Sequence, residues 1–155
     1  MYRTIGRLSA VLALALSIVT GIGTAAQAGA LDPYAPPALC GFGYVEVDQD
    51  PIRDAQTGNR LGTVHLLYNR VTGFARTATV KSAHPGALTR TQVYLAAQYL
   101  PTQVDDGARL YAAGPVRAYV RGGCAIWGGL MADPSGAVHH HERANPAIGG
   151  IGTCF

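Results

Sequence analysis

Three consecutive histidines and a carboxylate, His139-His140-His141-Glu142, form the densest set of metal-ligating side chains in the sequence. Neutral imidazoles bind Zn, Cu or Ni. Successive side chains of an extended segment point to opposite sides, however, so three in a row offer poor geometry to one ion. The H-E-x-x-H spacing of a zinc peptidase is absent, and so is any paired-cysteine zinc motif. The run therefore predicts a solvated loop with at most adventitious metal binding, and no metal or cofactor is expected. Nucleophiles are scarce as well. After residue 28 the only serines are Ser82 and Ser135, and neither lies in a G-x-S-x-G elbow. Ser82-Ala-His84 brings a serine and a histidine close in sequence, but a triad is recognised by geometry. Asp105 or Asp106 with Glu46 or Asp133 would make a carboxylate pair for hydrolysis, yet Asp105-Asp106-Gly107 reads first as a turn. An enzyme of this kind needs at least two of His65, His84, Asp105, Asp106 and Glu46 to converge in a pocket. The expectation is a non-enzyme.

Cys40, Cys124 and Cys154 are the three cysteines. In an exported chain they are disulfide candidates. Three thiols allow one intramolecular bridge and leave one over, either free or linking two copies as a homodimer. Pairing Cys124 with Cys154 closes about 30 residues, worth about 3.6 kcal/mol in the chain-entropy model; pairing Cys40 with Cys154 closes about 114, worth about 4.8. Loop entropy does not choose between them. None of the three has a basic neighbour in sequence that would favour a thiolate.

Aromatic and basic residues offer binding chemistry instead. Tyr94, Tyr119 and Trp127 could stack on sugar rings or a partner, although Trp127, in an apolar stretch bounded by glycines, reads as core. Arg117, Tyr119 and Arg121 alternate onto one face that could meet an anionic wall polymer. The other arginines are scattered without a dense run, which argues against nucleic acid.

The elements that carry these residues follow from composition and patterning. The chain has 155 residues, 20 Gly and 9 Pro, with 14% charged and 48% hydrophobic residues. That is turn-rich without reaching low complexity. Residues 1–28 read as a signal peptide, with Arg3 and Arg7 ahead of an apolar core and Ala26-Gln27-Ala28 as the cleavage site. Glycines interrupt the apolar run and no basic flank follows it, so no integral membrane anchor is expected after processing. Cleavage leaves 127 residues with ten basic and nine acidic groups, one domain's worth of chain. Residues 29–39, with Pro33, Pro36 and Pro37, read as a proline-rich extended arm. Residues 40–155 read as a single secreted β-domain. Strands are predicted at 42–47, 61–68, 74–81, 91–100, 109–113, 115–121 and 124–129. A loop over 48–60 and turns at 69–73, 84–86, 105–107 and 122–123 separate them. Val93, Leu95, Ala97 and Tyr99 share one strand face; Gln92, Tyr94, Ala96 and Gln98 share the other. The fold class is all-β, a small antiparallel sandwich or barrel with an irregular Gly-rich C-terminal tail.

Four segments occur in one order: Cys40-Gly-Phe-Gly-Tyr44; Leu61-Gly-Thr-Val-His-Leu-Leu-Tyr-Asn69 with Thr72-Gly73; Tyr111-Ala-Ala-Gly-Pro-Val116; and Gly123-Cys-Ala-Ile-Trp-Gly-Gly129. This series resembles the spore-associated protein A family, small secreted proteins of sporulating filamentous bacteria. The resemblance implies export and association with the spore or cell-wall surface; it brings no catalytic mechanism. It also implies a cysteine shortly after the Thr-Gly turn, where this chain reads Phe74-Ala-Arg76-Thr, which accounts for the odd cysteine count. By strand parity Arg76 shares a face with Phe74, Ala78 and Val80, and an inward guanidinium there must reach an edge or a partner. The expectation is a non-enzymatic secreted protein of the spore or cell surface, extracellular once processed. The alternative is an extracellular binding module or inhibitor acting on a wall glycan or protease.

Overall fold

The computed structural model describes residues 32–155; the signal peptide expected at 1–28 lies outside them. Two antiparallel sheets face each other. One has four strands in the order β1 (Val45–Arg53), β2 (Arg60–Asn69), β3 (Phe74–Lys81), β6 (Ala112–Tyr119). The other has β5 (Gln103–Arg109), β4 (Thr89–Ala97) and β7 (Cys124–Ala132), with β8 (Val138–His140) and β9 (Ile151–Cys154) both paired to the free side of β7. The architecture is a sandwich rather than a barrel.

Strict alternation builds the space between the sheets. Register aligns Val64 with Thr79 and Leu66 with Thr77 in the first sheet, and Val93 with Gly129 and Leu95 with Trp127 in the second. Val64, Leu66, Val93, Leu95 and Trp127 are all fully buried. Leucine and valine side chains projecting every second residue from both sheets exclude water from this layer. The Trp127 indole N–H donates to Thr153 Oγ1 at 2.8 Å, so the buried ring keeps its one polar atom satisfied.

Several predicted boundaries move, each for a local reason. Residues 36–39, expected within the extended arm, form with Cys40 a single helical turn, α1 (Pro36–Cys40). Proline suits the first helical positions, where its fixed φ is helical and its missing N–H would be unpaired anyway. β1 runs through Asp50-Pro51 to Arg53 rather than stopping at residue 47. It is an edge strand, so the absent Pro51 N–H costs no ladder bond. Asp105-Asp106-Gly107 is not a turn but the middle of β5. Its carboxylates are neutralised there: Arg90 grips Asp106 with two bonds, at 3.0 and 2.8 Å, and Arg109 pairs with Asp105. The turn falls at residues 110–111 instead. The tail after Met131, expected to be irregular, supplies β8 and β9, so the described chain has nine strands rather than seven.

Cys124 and Cys154 form a disulfide between β7 and β9, where they are register partners. Cys40 is the free thiol and is fully buried. It lies with α1 over the outer face of the first sheet, where Leu67 and Ala78 are also fully buried. Arg76 projects on that same outer face, and its guanidinium donates to the Cys40 carbonyl and sits 4.6 Å from the Tyr44 ring centroid. The charge thus finds its partners at the border of the layer that α1 adds.

Candidate functional site

The Arg117, Tyr119 and Arg121 face lies on β6 and the segment just beyond it. Tyr119 pairs in register with Phe74 and Arg117 with Arg76. The Phe74 ring meets Tyr119 edge-on, centroids 5.3 Å apart. The Arg117 guanidinium lies over Phe74, 3.5 Å from its centroid, an arrangement that fixes the ring and satisfies the cation at once. Arg121 turns back to the 70–73 hairpin, donating through Nη2 to the Arg70 and Val71 carbonyls at 2.7 and 2.6 Å. Gly73 permits this approach. It has φ +78°, and a side-chain carbon there would stand 2.8 Å from the Tyr119 ring and 2.9 Å from Arg121.

Beside Tyr119 opens a cleft of about 280 Å³, lined by Gln98, Tyr99, Leu100 and residues 119–124. Tyr119 is 45% exposed and Tyr99 is 94% exposed. Tyr99 has φ +64°, a region non-glycine residues seldom occupy. The sequence pattern placed Tyr99 on one strand face with Val93, Leu95 and Ala97. The strand ends at Ala97, and the left-handed residue swings the ring into solvent. Sequence reasoning missed Tyr99 for that reason; no pattern in 97–100 announces a positive φ. Of the other aromatics considered for stacking, Trp127 is core. Tyr94 is half-buried, its hydroxyl donating to the Gly149 carbonyl.

The titratable residues weighed for catalysis are spread over the molecule. Glu46 Oε2 and His65 Nδ1 meet at 2.8 Å on the outer face of the first sheet. Burial pushes the His65 pKa down in spite of the carboxylate. Asp105 is held below the usual carboxylate range by its bond to Arg109, and it also accepts from the Gly114 N–H at 2.7 Å. Asp106 is lowered by Arg90. His84 lies in the loop after β3 with φ +52°. Only His65 and Glu46 of the five come together, and neither lines the Tyr99–Tyr119 cleft.

The histidine run divides among three environments. His140 is exposed. His139 Nε2 is buried, 3.7 Å from Asp133 Oδ2 and without a hydrogen bond. His141 is buried, and its Nδ1 meets Asp50 Oδ2 at 3.1 Å. Among the described residues no group of three or more His, Cys, Asp or Glu is arranged to hold a metal ion. Asp50, which sequence reasoning did not single out, also accepts from the Arg143 N–H and Arg143 Nε, both at 2.7 Å. Arg143 reaches on to Asp48 at 2.8 Å. On the far side, His141 Nε2 lies 3.4 Å from the Tyr94 hydroxyl. This chain of polar groups fastens the tail to β1 and β4. Asp50 is aligned for it by the β1–β2 register, which sets Asp50 opposite Val64 on the inward side.

Another cluster surrounds Lys81, whose buried ammonium donates to the Ala87 carbonyl, Thr89 Oγ1 and the Arg109 carbonyl at 2.7, 2.8 and 3.2 Å. Desolvation lowers its pKa. Three acceptors for three protons make it a strut between the 82–88 loop and the end of β5.

No helix among the described residues is long and apolar enough to cross a membrane. Searched against known proteins, the chain matches no family model and no solved structure. It is 36% identical over 112 residues to spore-associated protein A of Streptomyces coelicolor, a match covering 69% of this chain. It spans 64% of the length of that relative.

Proposed function

The chain belongs to the spore-associated protein A family, and from that membership we propose that it is an exported, non-enzymatic protein resident on the spore or cell-wall surface. The observation that carries this reading is the 36% identity to a protein named for its spore association. Three features support it. The sequence begins with a signal-peptide pattern, the C-terminal strand is stapled by Cys124–Cys154, and the carboxylates of Asp50, Asp105 and Asp106 are engaged by arginines. A protein exposed outside the cell benefits from each of these, since a bridge and fixed ion pairs oppose local opening.

Fractionation of the producing culture tests the proposal. Antibody against the protein is expected to detect it on washed spores or walls. Recovery from the free medium alone would overturn surface residence. That result would favour the second reading, a soluble binding module for a wall glycan or a protease. The specific observation behind the second reading is the pair of exposed tyrosines, Tyr99 and Tyr119, on one cleft.

A further inference from the structure

We propose that the Tyr99–Tyr119 cleft binds an acidic saccharide chain, with the two tyrosine rings as stacking platforms. This deepens the surface-residence reading and rests on it for its biological setting.

The argument starts from Tyr99. A tyrosine that is 94% exposed gains almost nothing from packing. Holding it at φ +64° disfavours the folded state relative to glycine at the same position. Neither burial nor conformational ease explains a large aromatic residue here; presentation of the ring to a ligand does. Tyr119, across the same cleft, is fixed by the Phe74 edge, and Phe74 is fixed by Arg117. The Tyr119 ring is thus preset by its neighbours, which reduces its ordering cost on binding.

The lining chemistry selects the ligand class. Flat aromatic faces accept the C–H faces of pyranose rings, while phenol hydroxyls and the Gln98 amide serve sugar hydroxyls. The lining contains Arg121 and no carboxylate. Arg121 commits Nη2 to the hairpin and keeps its remaining donors for an acid group. The cleft holds about 280 Å³, just below the range of roughly 300–1,000 Å³ for small-molecule sites. It is open to solvent rather than enclosed, as a site for one or two units of a longer chain requires.

Microcalorimetry at low salt with the full exported protein tests this, using tetragalacturonate as the acidic probe and chitotetraose as the neutral one. Tetragalacturonate is expected to bind with one site per chain and at least tenfold tighter than chitotetraose. Tyr99→Gly is expected to weaken that binding at least tenfold while the melting temperature holds or rises, because glycine relaxes the backbone. Tyr119→Ala is expected to weaken it similarly. Equal affinity for the two probes would overturn the acidic preference. Full binding by Tyr99→Gly, or no binding of either probe by the wild-type protein, would overturn the site. Failure here with the protein still found on spores removes the cleft assignment alone. Saccharide binding by a protein absent from spores and walls removes the residence reading alone.

Discussion

Asp50 and His141, 91 residues apart, meet at 3.1 Å inside the protein, with their side chains 1% and 2% exposed. Asp50 Oδ2 also accepts from the Arg143 N–H. Asp50 Oδ1 takes the Arg143 Nε–H as well, so the carboxylate meets its neighbours as an acceptor and His141 Nδ1 supplies the proton between the pair.

Removing the carboxylate strands three donors at once. Asp50→Ala is expected to lower the unfolding free energy by about 3 kcal/mol, within the range for breaking a buried ionic network on one side. Urea denaturation measures this. Limited proteolysis should show new cleavage within residues 141–150, the segment the network fastens.

The buried histidines set a pH dependence. Burial lowers the pKa of both His65 and His141, outweighing Glu46 and Asp50. As pH falls through about 6.5, the unfolded chain protonates these rings and the folded chain does not. The unfolded state then binds more protons, so stability falls with pH in this window and is full above it. The lowered carboxylates of Asp105 and Asp106 withdraw their contribution only below about 4. Denaturation midpoints measured from pH 7.5 to 5 should therefore drop in wild type, and drop less in His65→Gln with His141→Gln.

The part of this structure legible in sequence is what short-range alternation encodes. Val64, Leu66 and Tyr68, or Val93, Leu95 and Ala97, declare their faces because every second residue meets the same solvent or core. The same rule put Arg76 on the face of Phe74, where the structure places it. Pairings between distant segments are different. Nothing local marks Asp50 as the partner of His141, and loop entropy favours no particular cysteine pair. Asp105-Asp106-Gly107 has turn composition, yet pairing with β4 places Arg90 and Gln92 against Asp106 and keeps the segment extended. The cleft is legible by half: Tyr119 follows from alternation, whereas Tyr99 depends on a backbone reversal that no side-chain pattern foretells.

Both cysteines of the bridge are exposed, while Cys40 is buried. Cys154→Ser frees β9 from β7 and is expected to lower stability by about 3–4 kcal/mol, the loop-entropy value for a separation of 30. Thermal denaturation with and without reductant checks it, since reduction of the wild type should approach the variant.

The Cys40 thiol should be silent until the protein opens. Burial pushes its pKa up to about 11, so thiolate is scarce at neutral pH. Titration with a thiol-reactive chromophore should register no thiol in the native protein and one per chain in guanidinium. A chain linked to a second copy through Cys40 would instead show none in guanidinium and a dimer on non-reducing gels; the buried position predicts a monomer.

Surface residence is tested most directly by returning the protein to its surface. Protein purified from the producing culture is mixed with washed spores of a strain lacking its gene, and the spores are sedimented and washed. Saturable retention is predicted, reduced by Tyr99→Gly. Quantitative recovery in the supernatant at every concentration would contradict the account.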